Sequence, residues 1–449
     1  MDVLDLTRLQ FAVVTIYHYL FVPLSISLAA TAAGLQLAWL RTHQARFLNL
    51  TKFVGKLLIV TFAVGVVTGL VQEFQFGLGW SNFARFYGDV FGPTLAIEGM
   101  LAFFLEATFL ALWYFGWDRL PRGLHAATIV VVAIGTVLSA FIILAANSFM
   151  QNPVAYALDP ATGRARLTSF TDLLLNKVNL AAFPHTLSGA AMVGGALLLS
   201  IGVWRRHADP AFGTLARLGA WVTLAGGGLV ALTGDHLGKV ITEVQPMKMA
   251  AAEALYATTS GAPFSLFAVP GFSIRIPDLL SILAKGSPGA TVQGIDDLQA
   301  QYVAQYGPGS YVPMIPVAFW AFRLMIGAGM LAALVAAVYL WTTRKGGTPH
   351  PMLVRFLPLI PLLPAAANTL GWIFTETARQ PWIAFGISKV SDGLSPGLTS
   401  GEVIASLSGF AVVYGILAIV WLRLVRHLAR QPLTPAAPSR PADELASVY

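Results

Sequence analysis

The chain has 449 residues, 56% of them hydrophobic and 11% charged, with a formal net charge of +7 and a mean hydropathy of +0.69. So apolar a composition cannot keep a water-soluble surface, which excludes an ordinary globular protein and indicates an integral membrane one. The cations are scattered over short separate loops, which argues against a nucleic-acid partner, and the absence of cysteine excludes disulfides, thiolate metal sites, iron–sulfur clusters and covalently attached c-type haem.

Continuous apolar runs long enough to cross roughly 30 Å of hydrocarbon as helices lie near residues 12–40, 53–72, 93–116, 124–147, 183–204, 216–234, 314–342, 353–376 and 402–425. The fold class is therefore all-α and polytopic, with about nine transmembrane helices. The runs do not alternate, which excludes a β-barrel. If the N-terminus is outside, Arg41, Arg46, Lys52, Lys56, Arg119, Arg122, Arg205, Arg206, Arg217, Arg344, Lys345 and Arg355 fall on inner loops and the C-terminus is cytoplasmic. The outer segments then carry most of the acids, among them Glu73, Asp89, Asp159, Asp296 and Asp297. The first apolar run is too long and its flank too acidic for a cleavable signal peptide.

Four regions are expected. Residues 1–235 hold six helices, and residues 236–312 form a Gly-, Pro- and Ser-rich extracytoplasmic loop with a short helical piece, MKMAAAEALY. Residues 313–430 hold three more helices, and 431–449 a disordered cytoplasmic tail.

In chain order, the chemistry begins at His18 near the outer end of the first helix, with His185 placed similarly on the fifth. A polar ring in hydrocarbon needs a partner, either a hydrogen bond or a metal, and imidazole is a common axial haem ligand. His43, His125, His207, His350 and His427 fall in or beside inner loops and are expected to be solvated. Glu98 and Glu106 lie eight residues apart on the third helix, about 12 Å along its axis, and suggest a proton path or a metal ligand, which Ser139 on the fourth could extend. Met325 follows Arg323 by two residues on the seventh helix; a lone Met is ordinarily packing, but a charge there can neutralise a haem propionate. Glu376 and Arg379 stand one turn apart, as a helix-end salt bridge or as an iron ligand with Arg379 and Trp372 shaping its pocket.

The stretch GWIFTETARQPW (371–382) resembles the GWxxxExGRQPW signature of subunit I of the cytochrome bd-type quinol oxidases, with Ala378 where Gly is usual. The resemblance extends through TRLQFAVVTIYHYLFVPL, TKFVGKL, EFQFGLGWS, GDVFGPTLAIEGMLAFFLEATF, ANSFMQNP, FPHTLSG and FWAFRLM. It implies a terminal oxidase that takes electrons from quinol at the outer face and reduces O2 to water with cytoplasmic protons, in a bacterial cytoplasmic membrane. It further implies two haem b and one haem d without copper: His185 and Met325 on a low-spin haem b, His18 on a high-spin haem d, Glu376 on a high-spin haem b, and Glu98 beside the oxygen site. Glu106 and Ser139 then fit a proton route, and Lys248 and Glu253 the quinol site of a short-loop variant. A second membrane subunit and small accessory subunits are the implied partners, alongside the lipid bilayer.

The alternatives are a proton-coupled transporter, which would show repeat symmetry; a bis-histidine cytochrome or a copper oxidase, whose histidine pairs or clusters are missing; and a non-catalytic assembly subunit.

Overall fold

The computed structural model describes residues 2–269 and 271–433. The tail expected over 431–449 lies, from residue 434 onward, outside the described residues. Among those described, eight helices are long and apolar enough to cross a membrane: Val3–Thr42, Ala45–Leu78, Ser81–Phe115, Arg122–Gln151, Lys177–Arg205, Ala211–Val244, Ile315–Thr342 and Ser400–Arg430. A ninth passes the same test only as a bent pair, Pro351–Leu359 with Leu362–Thr377, which meet at 41°. Prolines at 358, 361 and 364 surround the break, where missing N–H donors and ring clashes interrupt the helical ladder. In chain order these are the first to seventh spans, the bent eighth and the ninth.

The helices overrun the apolar stretches from which they are legible. The first starts at an Asp2 cap whose side chain accepts from the Asp5 N–H, and it ends at His43 in the left-handed region (φ 54°). The sixth continues to Val244, so the connecting segment starts at Gln245 rather than at 236. The second reaches Leu78 and carries Glu73 with it, so that acid belongs to a span and not to an outer loop.

The fifth and sixth spans meet at backbone distance. A Cβ added to Gly195 would lie 2.7 Å from the Thr223 nitrogen, one on Gly202 2.5 Å from the Ala216 nitrogen, and one on Gly219 2.4 Å from the Leu199 nitrogen. Hydrocarbon supplies no hydrophobic drive between helices, so this close approach, with its dispersion contacts, is what holds the pair. The ninth span is held against the first two by Tyr17 stacked on Tyr414 (centroids 4.2 Å apart), by Ser406 donating to Gln10 (2.6 Å) and by Trp421 donating to Thr61 (3.2 Å).

His125 corrects an expectation. It is 2% exposed, with one ring nitrogen 2.7 Å from the Gln36 side-chain amide and the other 2.7 Å from the Trp113 carbonyl. Trp113 in turn donates to Gln36 (2.7 Å), closing a polar knot among the first, third and fourth spans. The helix begins at Arg122, early enough to carry His125 inside. His43, His207, His350 and His427 are exposed.

Between the sixth and seventh spans lie a helix, Pro246–Glu253, buried from Met247 onward, an antiparallel ribbon, Phe264–Val269 with Phe272–Ile276, and a helix, Ile295–Tyr306. Tyr311 stacks on Trp382 (5.4 Å, 20°), tying this segment to the stretch after the eighth span.

Gly195→Val should cost at least about 1–3 kcal/mol by overpacking and lower the thermal midpoint of the purified protein. Gly213→Val, on the same pair of spans but facing open space, should leave that midpoint nearly unchanged.

Candidate functional site

His18 and His185 line one large cavity and are held by the same device. His18 Nδ1 lies 3.0 Å from the Thr68 hydroxyl of the second span, which itself donates to its own helix at Val64 and Gly65 (both 3.0 Å). His185 Nδ1 lies 3.3 Å from the Thr233 hydroxyl of the sixth span, which donates to Leu229 (2.7 Å). Each hydroxyl hydrogen is engaged by a carbonyl, so the oxygen accepts and the ring must carry its proton on Nδ1. The tautomer follows from this network, and it leaves each Nε2 lone pair available to a ligand.

The residue after each threonine is glycine. A Cβ on Gly69 would sit 3.2 Å from His18 Cε1, and one on Gly234 3.1 Å from His185 Cε1. Met325 has a comparable neighbour in Gly371, where a Cβ would lie 2.8 Å from its sulfur. The sequence reading missed these residues; the signal was a Thr-Gly pair in the helix following each histidine helix.

The third span carries the acids on an irregular turn. Residues Glu98–Phe103 form a π-helix, the kind of single-turn bulge that often marks a functional site. In a regular helix eight residues would set Glu98 and Glu106 about 80° apart, whereas one residue absorbed by the bulge leaves roughly 20°. Both line the cavity with Glu73. Ser139 donates to Glu98 (2.8 Å), and Glu106 packs on Gly135, where a Cβ would come within 2.9 Å of its Cγ.

Glu376 is bonded to Arg379 and also accepts from Asn147 (2.8 Å), the first asparagine of ANSFMQNP. Arg379 reaches back to the Ile383 carbonyl, and Trp372 lines the cavity beside them.

Arg323 is buried and engaged. It pairs with Glu253 (2.7 Å), donates to the Ser265 carbonyl (2.7 Å) and to the Ala252 carbonyl, and lies 3.7 Å from the centre of the Phe319 ring. Glu253 also accepts from the Ser265 N–H (3.1 Å). Burial pushes the Glu253 carboxyl up to about 7 against the opposing pull of Arg323.

Lys248 does not join Glu253. Five residues earlier on the same helix, it points roughly 140° away and donates to Gln151, whose backbone carbonyl accepts from Gln245 (2.8 Å). Burial pushes the Lys248 amine down to about 7, opposed by the Glu376 carboxylate.

The cavity measures about 1610 Å³, beyond the roughly 300–1,000 Å³ that suits one ligand. It presents two imidazoles with free Nε2, a thioether and several carboxylates, and glycines keep the space beside three of these donors flat. That donor set fits haem, whose iron takes His, Met or oxygen ligands. Fold and site together define a polytopic membrane protein built to hold haem.

The family model of the cytochrome bd terminal oxidase subunit I matches residues 6–433. The chain is 40% identical to the cytochrome bd ubiquinol oxidase subunit 1 of Bacillus subtilis (strain 168), over 96% of this chain and 94% of that one. It is 33% identical to the cytochrome bd-II ubiquinol oxidase subunit 1 of Escherichia coli (strain K12), over 97% and 98%. Its fold is similar to the solved bd oxidase of Geobacillus thermodenitrificans, with a TM-score of 0.86 and 28% identity over 96% and 98% of the two chains. The chain belongs to the cytochrome bd terminal oxidase subunit I family. It is a multi-pass membrane subunit of a quinol:oxygen oxidoreductase that uses haem, and the transporter alternative finds no support.

Thr68→Val and Thr233→Val should each weaken haem retention by about 10–100-fold, read as haem per protein after purification. Thr→Ser at either position should retain it, and full haem content in both valine variants would show that neither hydroxyl orients a ligand.

Proposed function

We propose that His185 and Met325 hold a low-spin haem b, His18 a high-spin haem d and Glu376 a high-spin haem b, with Glu98 beside the oxygen-reducing site and no copper. The observation that supports this most is the convergence of these side chains, from the first, third, fifth, seventh and eighth spans, on one cavity. When bound, the haems supply the redox chemistry that links quinol oxidation to the reduction of O2 to water.

The chain's own residues set where protons enter and leave. With the N-terminus outside and the Arg-rich loops in the cytoplasm of a bacterial cell, the Pro246–Glu253 helix lies at the outer face. There Glu253 accepts a proton from the quinol hydroxyl, and Arg323 holds the carboxylate in place and stabilises its charged form. Lys248, turned to Gln151, ties the loop helix to the end of the fourth span. It does not grip the second quinol oxygen. On the other side of the site, Glu106 lies one π turn and about one further turn nearer the cytoplasm than Glu98. It passes protons inward along the Ser139–Glu98 hydrogen bond, and Trp372 helps exclude water. Protons are thus released outside and taken up inside, which builds a gradient by the placement of sites alone. A second membrane subunit, with small accessory subunits, completes the complex and covers apolar faces of the bundle.

Two experiments test this. His185→Ala or Met325→Leu in the purified complex should abolish the low-spin haem absorption together with quinol oxidation, and an unchanged spectrum in either variant would contradict the ligand pair. Because Glu253 must be ionised to accept a proton and burial raises its pKa to about 7, kcat/KM for quinol should climb as pH rises through 7. Glu253→Gln should flatten that limb and lower the rate by about 10²-fold or more; a preserved limb in Glu253→Gln would assign it to another group.

A further inference from the structure

The ribbon between the sixth and seventh spans has two unlike faces. Its register pairs Phe264 with Ile276, Phe267 with Ile274 and Val269 with Phe272, past an irregularity between Ser265 and Phe267. Directly opposed residues share a face, so these six apolar side chains form one side, while Ser265 opposite Arg275 and Ala268 opposite Ser273 form the other. The apolar side is not covered: Phe272 is 58% exposed and Ile274 48%.

Two anchors fix where that side lies. At its root, Phe264 is buried, lines the same cavity as Glu253 and sits 6.4 Å from Phe322, while its neighbour Ser265 binds Glu253 by its N–H (3.1 Å) and Arg323 by its carbonyl (2.7 Å). Further along, Phe267 packs edge-on against Trp320 of the seventh span (5.2 Å), at the end of the helix where an aromatic residue marks the membrane boundary. The face therefore runs unbroken from the Glu253 carboxylate to the lipid-facing flank of a span, about 17 Å of apolar strip. A ribbon serving only as a lipid anchor would need no root in the acid's own hydrogen bonds.

We infer that the apolar face of the Phe264–Ile276 ribbon is a binding strip for the isoprenoid tail of the quinol, leading the head group from the bilayer to Glu253. This rests on the reading of Glu253 as the quinol's proton acceptor. Burying the tail against the strip lowers the free energy of the bound quinol through apolar contact alone, so it sets KM and leaves the head-group chemistry untouched.

The test uses the whole oxidase complex in proteoliposomes, with Phe272→Ser combined with Ile274→Ser, and two substrates: a quinol with a long isoprenoid tail and one with the same head group and no tail. KM for the tailed quinol should rise about tenfold, with kcat and the KM of the tailless quinol unchanged. Arg275→Gln and Ser273→Ala, on the other face, should alter neither. An equal rise for both quinols would show that the ribbon acts on the head group or the fold, and no change for either would show that its apolar face meets only lipid; both overturn the strip. Glu253→Gln separates this from the parent reading. It should lower kcat with both quinols, and tail discrimination alongside a silent Glu253→Gln would uphold the strip while removing the acceptor assignment.

Discussion

A polar group inside a bilayer has no water to fall back on, and most of the polar side chains at this protein's site are held by a neighbour from another element because of it. The imidazoles of the first and fifth spans lean on hydroxyls of the second and sixth. Glu98 of the third and Glu376 of the eighth accept from the fourth. The arginine of the seventh is bonded to an acid on a loop helix. Satisfying these groups and assembling the cavity are the same event, so the order of the helices around the site follows from polar pairing as much as from apolar packing.

The two threonine–histidine pairs show how much a simple device can settle. A hydroxyl whose hydrogen is already given to its own helix can only accept, and that fixes the proton on one ring nitrogen and frees the other. Glycine as the next residue removes a side chain that would crowd the ring. The loop acid is held differently, by an arginine, a backbone N–H and burial that act against each other on its charge. That opposition keeps it near the point where it can take up and release a proton at ordinary pH.

Much of this was legible in the sequence. Uninterrupted apolar runs gave the spans, and His18, His185, Met325, Glu98 and Glu376, rare polar types in such runs, gave the residues that line the cavity. What escaped depended on details that periodicity does not encode. A π turn leaves no compositional mark, so the facing of Glu98 and Glu106 was judged from an ideal helix. His125 sits four residues inside the start of its helix, beside cations that suggested a loop, and its burial comes from Gln36 and Trp113 on distant segments. Lys248 and Glu253 are neighbours in sequence, but helical rotation sends them to opposite sides. The bend in the eighth span escaped too, because 353–376 reads as one continuous apolar run despite its prolines. The ribbon's two faces emerge only once an irregular register is known, because the extra residue shifts the alternation.

The widened turn at Glu98–Phe103 also bears on how this protein can change over time. Its one surplus residue works as a phase correction: it brings two acids into line that a plain helix would hold askew. Deleting one residue from that stretch would restore a plain helix in which the two acids, then seven residues apart, still lie within about 20° of each other. The turn is thus an insertion that the helix has absorbed without rotating its two halves, and what a deletion would remove is the widened local backbone rather than the facing of the acids.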